Sequence, residues 1–247
     1  MSTEISVCGL IPMDLRQSVF DRLSNHTHSV CHFNLREMVF DRGSLEGPSE
    51  DSNILRLRHI NQIPKGILDK TNFDGLTRNG WNLTLLGRPE PERLSPDFSI
   101  RPYHVCPILD GDPIEFCNAL GYRKKFEFFR KGLVFVRGAV VIEVFQIYEG
   151  NDETSKPIAW SDSYLITVTV IASTTTATVA TSNAKPKVTN PITSDNHKNN
   201  NTGSSIKVSG SGSMLQQQEL RNQGINRIRE VQAILKGLVD LSRVEPF

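Results

Sequence analysis

Apolar and polar positions alternate through much of this chain. In residues 53–60, NILRLRHI, Leu55 and Leu57 take one side of a strand and Arg56 and Arg58 the other. In residues 163–172, SYLITVTVIA, the side carrying Tyr164, Ile166, Val168 and Val170 is wholly apolar, and Thr167 and Thr169 lie opposite. Residues 4–11, 28–41, 81 onward and 101–109 read as further strands, the last weakened by two prolines. Residues 127–149 are the most hydrophobic stretch, and Gly132 and Gly138 divide residues 122–148 into three antiparallel strands, 122–131, 133–137 and 139–148. Within it Val140, Ile142 and Val144 face one way and Val141, Phe145 and Ile147 the other, so both faces are apolar. A strand buried twice needs core on one side and a helix or a partner protein on the other, so these two sets are the candidate partner-binding residues.

The helical period appears three times. Leu15, Val19, Phe20 and Leu23 recur at spacings of three and four after Pro12 and Asp14. Asp112-Pro113-Ile114-Glu115 is a strong helix start, and Gly121 is its natural stop. Residues 214–244 carry a stripe of Leu220, Ile228, Val231, Leu235 and Leu238. Turn-rich stretches at 43–53 and 61–80 read as loops. Between the last strand and the last helix the composition changes: 16 of the 42 residues of 172–213 are Ser or Thr, with no aromatic and no Leu. So little apolar surface does not offset the entropy of ordering, and this insert is expected to be disordered. The order implies a mainly β chain with a few helices (α+β) and about eight strands in a closed or nearly closed antiparallel barrel. Its core is residues 1–171, and 214–247 complete the same domain with a closing helix.

Charge changes this picture little. Lys+Arg is 28 and Asp+Glu 27, a formal net charge of +1, and no basic run offers a general grip on phosphate backbones. The basic and aromatic residues of 122–132, YRKKFEFFRKG, permit nucleic-acid binding, but charged ends of a barrel strand explain them equally well. No direct nucleic-acid contact is therefore expected. The first residues show no basic and apolar leader, so no secretory signal is expected. No apolar run approaches the roughly 20 residues of a membrane span. Without a leader, the triplets at Asn25, Asn82 and Asn200 are not expected to be glycosylated. Cys8, Cys31, Cys106 and Cys117 form no CxxC pair and read as reduced, buried thiols.

Candidate chemistry is sparse. Glu127 and Glu143, with Arg56, Arg58, Lys124 and Arg130, are candidates to line a barrel lumen. A metal-dependent tunnel triphosphatase needs carboxylates at alternate positions of one strand, plus inward cations for phosphates. The first strand offers Glu4, then Ser6 and Cys8, and the other two carboxylates stand singly. His26, His28, Cys31 and His32 match no common zinc spacing, and Cys31 and His32, adjacent on a strand, point apart. No serine sits in a nucleophile elbow and no glycine-rich loop cradles phosphate, so no catalytic, metal or cofactor site is assigned.

Six segments follow one another along the chain: EISVCGLIP, REMVFDR, ILRLRHI, the Trp strand WNLTLLGRPE, FCNALGYRKKFEFFRKGLVFVRGAVVIEVFQIY and the closing LKGLVDLSRVEP. In register, they resemble the Mediator head-module subunit eighteen family. The 172–213 insert departs from shorter relatives. The resemblance implies a multistranded barrel of the triphosphate-tunnel-like type without its catalysis, and no cofactor. It implies a nuclear, non-catalytic subunit that bridges transcription regulators and the RNA polymerase II machinery. Its implied partners are a sister barrel, subunit twenty, and a C-terminal helix of subunit eight. Glu143 is then a structural or lumen charge.

Overall fold

The computed structural model describes residues 2–42, 54–62, 80–151, 155–158, 162–173 and 210–243. Eight strands close into an antiparallel barrel: β1 Ser2–Pro12, β2 Ser29–Asp41, β3 Ile54–Gln62, β4 Trp81–Leu86, β5 Ser99–Pro107, β6 Arg123–Arg137, β7 Val140–Tyr148 and β8 Ser163–Ser173. Around the wall they run β1-β5-β4-β3-β2-β6-β7-β8, and β8 pairs back onto β1 from Ser2↔Ser173 to Pro12↔Ser163. Closure leaves the sheet without a free side strand.

Among the described residues three α-helices lie outside: α1 Arg16–His26, α2 Pro113–Ala119 and α3 Gly210–Leu235. Asp112 caps α2 as its sequence requires, its carboxylate accepting from the amides of Ile114 and Glu115 at 2.7 and 3.2 Å. β5 and β6 are not neighbours, so the connection through α2 crosses the outer face of β4, β3 and β2. There Cys117, Ile108, Ile114 and Tyr122 pack with Met38, Phe40, Leu55, Leu57, Trp81, Leu83 and Leu85. Helices α1 and α3 cover the opposite wall. Val19, Leu23, Ile228, Val231 and Leu235 pack with Ile5, Val7, Ile11, Val140, Ile142, Val144, Ile166, Val168 and Val170. The main hydrophobic core thus lies between wall and helices. The barrel interior holds a smaller apolar cluster at Cys31, Phe33, Leu35, Val134 and Phe145.

Gly132 does not divide two strands. β6 runs unbroken from Arg123 to Arg137, and only Gly138, at φ +59°, turns the chain into β7. Gly132 sits opposite Phe145, where an added Cβ would meet Val144 O and lie 2.7 Å from Phe145 Cα. It is a glycine because the neighbouring backbone comes close, not because the chain turns. The loops expected at 43–53 and 61–80 fall, but for residues 61, 62 and 80, outside the described residues. So does the insert from 174 to 209; its first two residues end β8 and its last four begin α3. No described helix is long and apolar enough to cross a membrane.

Candidate functional site

Strand parity decides what points inward. Registers around the wall place Glu4, Glu37, Glu143, Arg56, Arg58, Arg101 and Arg130 on the lumen face. Glu37 of β2 is the centre. Its side chain is 1% exposed, and it meets Arg56 at 2.6 Å, Arg130 at 3.1 Å and Arg58 at 3.5 Å. Arg130 reaches on to Glu143 at 2.9 Å, and the Thr167 hydroxyl donates to the same carboxylate oxygen at 3.3 Å. Across the barrel Arg101 holds Glu4 at 2.6 Å. Burial alone would raise the Glu37 carboxyl, but the fields of Arg58, Arg130 and Arg56 and the hydrogen bond from Arg56 outweigh it. They hold the group well below the usual carboxylate range. Arg58 shows the reverse balance: burial lowers it, and Glu37, Tyr103, Glu143 and Glu4 together raise it. Tyr103, Glu143 and Glu4 lie on strands that do not adjoin β3, so these fields act through the interior.

This arrangement fixes what the lumen can do. Among the described residues each lumen carboxylate, Glu4, Glu37 and Glu143, is ion-paired with at least one arginine, which offsets its charge there, although Glu37 Oε2 accepts no hydrogen bond. Among the described residues no group of three His, Cys, Asp or Glu side chains is placed to hold a metal ion. Of the lumen candidates read from the sequence, Glu143, Arg56, Arg58 and Arg130 do face inward. Glu127 and Lys124 do not: they pair with each other at 3.0 Å and with Arg36 at 2.6 Å to Glu127, on the outer face beside β2. The Arg36 hydrogen bond, working against burial and helped by Lys124, lowers the Glu127 carboxyl. Sequence reasoning missed Glu37 and Arg101. The available signal was Glu37 at the parity of the apolar Leu35 and Val39, where a charge demands buried partners.

The residues expected to meet a partner lie inside the chain's own packing. Val140, Ile142 and Val144 are at most 1% exposed beneath α1 and α3. Phe145 is buried in the lumen, edge-on to Phe33 with Arg130 over its ring, and Val141 and Ile147 pack beside it. Of the two covers expected, a helix or a partner, the chain's own helices α1 and α3 lie over the first set, and the second set turns into the barrel. Of the thiols, Cys117 and Cys31 are buried, Cys8 is half-buried and Cys106 is exposed. Burial pushes Cys117 and Cys8 up to about 11, so neither is a nucleophile at neutral pH. His32 and Cys31 point apart on β2, and His28 Nδ1 accepts from the Gly138 amide at 3.3 Å.

Three of the six segments singled out in the sequence meet at the C-terminal helix. Glu90, just beyond the Trp strand, takes both arms of Arg221 of α3 at 2.8 and 2.7 Å. Arg243 of the tail donates to the carbonyls of Glu90 and Ser95 at 2.7 and 2.6 Å. The tail also pairs with β1, through Cys8 and Ser242 amides and carbonyls at 2.9 and 3.0 Å. At the C-terminal end of α3, Arg22 of α1 donates to the carbonyls of Ile234 and Lys236. These contacts clasp the middle of α3, its C-terminal end and the tail that follows.

Comparison with known proteins bears on this architecture. A solved Mediator head module from Schizosaccharomyces pombe matches with a TM-score of 0.61 at 17% identity, over 98% of each chain. The PH1819 protein of Pyrococcus horikoshii OT3 matches with a TM-score of 0.51 at 12% identity, over 98% of this chain and 94% of that one. At such identities the likeness is one of fold. No curated protein sequence matches this chain. The sequence model of the family described as Med18 protein, in contrast, matches residues 9–246, nearly the whole chain. The chain belongs to the Med18 family and is a subunit of Mediator.

Proposed function

We propose that this chain is a non-catalytic interaction subunit of the Mediator head, acting in the nucleus. It would connect transcription regulators with the RNA polymerase II machinery by protein–protein contacts, beside the sister barrel subunit twenty and a C-terminal helix of subunit eight. The observation that carries the reading is the state of Glu37. A tunnel that works on triphosphates needs carboxylates free for metal and cations free for phosphate. Here the central carboxylate is enclosed by three arginines, and Glu4 and Glu143 hold arginines of their own. Such a lumen stiffens the wall, and the wall positions helices and loops for partners. Affinity purification of the full chain from a nuclear extract, with identification of the co-purifying chains, tests the assembly. Recovery without other head subunits would refute it. Phosphate release from a nucleoside triphosphate with Mg²⁺ or Mn²⁺ tests the absence of catalysis, and turnover abolished by Glu37→Gln would refute that part.

A further inference from the structure

β6 is longer than the strand beside it. β7 ends at Tyr148, opposite Phe129, whereas β6 begins six residues earlier, at Arg123. Over Arg123–Phe128 the strand pairs with β2 alone. Among the described residues no backbone hydrogen bond reaches these six from the side that β7 leaves. Alternate residues of a strand turn their N–H and C=O toward each neighbour; a β-bulge at Lys125, between Val39↔Phe126 and Phe40↔Lys124, interrupts the alternation, so among the described residues about two or three of these six have no backbone partner on that side. An exposed edge of this kind is a template for another extended chain.

The side chains narrow the occupant. Arg123, Lys124, Lys125 and Phe126 are all exposed. Glu127 holds Lys124, but Arg123 and Lys125 make no ion pair among the described residues. Phe126 is 47% exposed and stacks with Phe128, ring centres 6.0 Å apart. Two cations without an ion pair among the described residues, beside an apolar ring pair, suit a strand that alternates carboxylates with apolar residues. A second copy of this edge would bring the same cations against these and be repelled. A nucleic acid would leave the backbone edge unsatisfied and meet the carboxylates of Glu127 and Asp41, the latter opposite Arg123 on β2. We propose that the Arg123–Phe128 edge of β6 binds an extended, acidic segment of a partner protein as an added strand. This stands on strand geometry and does not depend on the assembly proposed above.

The test is fluorescence anisotropy on the full-length chain, at low salt, with a labelled peptide of about ten residues alternating Asp with Val. Saturable binding is expected, weakened about tenfold or more by Arg123→Glu with Lys125→Glu. Methylating one alternate set of peptide amides should abolish binding, and methylating the other set should leave it intact, because only one set faces β6. Equal binding of both methylated peptides would overturn strand addition. Tighter binding of a single-stranded oligonucleotide of equal length would assign the surface to nucleic acid instead. Dimerisation of the chain that excludes the peptide would assign it to a second copy. If the double variant does not fold, the methylation series on the wild-type chain decides alone.

Discussion

Glu37→Gln keeps the size of the side chain and removes its charge, leaving Arg56, Arg58 and Arg130 around a neutral amide. Arg130 keeps Glu143 at 2.9 Å, but Arg56 and Arg58 lose the carboxylate at 2.6 and 3.5 Å that is their nearest. Removing one partner of a buried ion pair costs about 3–5 kcal/mol, because the other charge stays buried without compensation. In a domain of this size 1 kcal/mol moves the midpoint by about 2–4 °C, so Tm should fall by roughly 6–20 °C at pH 7. The pH dependence gives a second reading. The folded Glu37 carboxyl lies below its ordinary value of 4.5, so its contribution is complete above 4.5 and is lost as pH falls toward the folded value. The variant has no such group, so the gap between the two proteins should narrow on acidification. Each pH unit below the ordinary value removes about 1.4 kcal/mol, so by about pH 3 roughly 2 kcal/mol of the difference should be gone. Denaturant unfolding of both proteins across this range measures it. A Glu37→Gln protein within about 1 kcal/mol of the wild type at pH 7, or a gap that does not change with pH, would refute the reasoning.

Gly132→Ala should cost about 3 kcal/mol or more, since its Cβ enters the Val144–Phe145 backbone; an unchanged denaturation midpoint would show that β6 and β7 part freely there. Leu235→Asp buries a charge at a fully enclosed site and should cost at least ~4 kcal/mol or leave α3 undocked, which protease sensitivity after residue 210 would reveal. Glu90→Ala breaks a half-exposed bidentate pair with Arg221 and should cost only about 1 kcal/mol, with faster hydrogen exchange confined to α3 and the tail. Replacing residues 174–209 by a short Gly/Ser linker should leave cooperative thermal unfolding intact; loss of cooperativity would show that the insert belongs to the core.

Much of the wall was legible because alternation survives in its strands. Leu55 and Leu57 are buried beneath α2, and Arg56 and Arg58 turn into the lumen. The strand from Trp81 onward was also legible; its Trp81, Leu83 and Leu85 face packs under α2, with the Trp81 ring only half-buried, His59 at 4.5 Å and Arg36 over it at 5.7 Å. What the pattern could not state is which face is inside. Here the larger apolar core lies outside the wall and charges fill much of the lumen, the reverse of the usual expectation for a small barrel. The doubly apolar β7 was readable, but its cover was not. A chain's own helix and a partner's helix demand the same Val140, Ile142 and Val144. Gly132 was misread for a similar reason: a turn and a close backbone approach both call for a residue without Cβ.

The clasp explains how α3 tolerates its tether. Between Ser173 and Gly210 lie 36 residues. Treated as a flexible loop, such a connection costs about 1.6 kcal/mol more to close than one of about six residues. Burying Ile228, Val231 and Leu235, each fully enclosed, returns about 1.5–3 kcal/mol apiece. The position of α3 is therefore dictated by its groove on β1 and β8 and by its polar anchors, and connection length has little influence on it. Those anchors come from the segments that identify the family: Glu90 after the Trp strand, Cys8 on β1, and Ser242 with Arg243 in the tail. None of these residues forms a reactive centre. Their contacts, Glu90 with Arg221, Cys8 with Ser242, and Arg243 with the carbonyls of Glu90 and Ser95, bring three distant parts of the chain to one junction, so a change of spacing in any of them would have to move α3 or its tail.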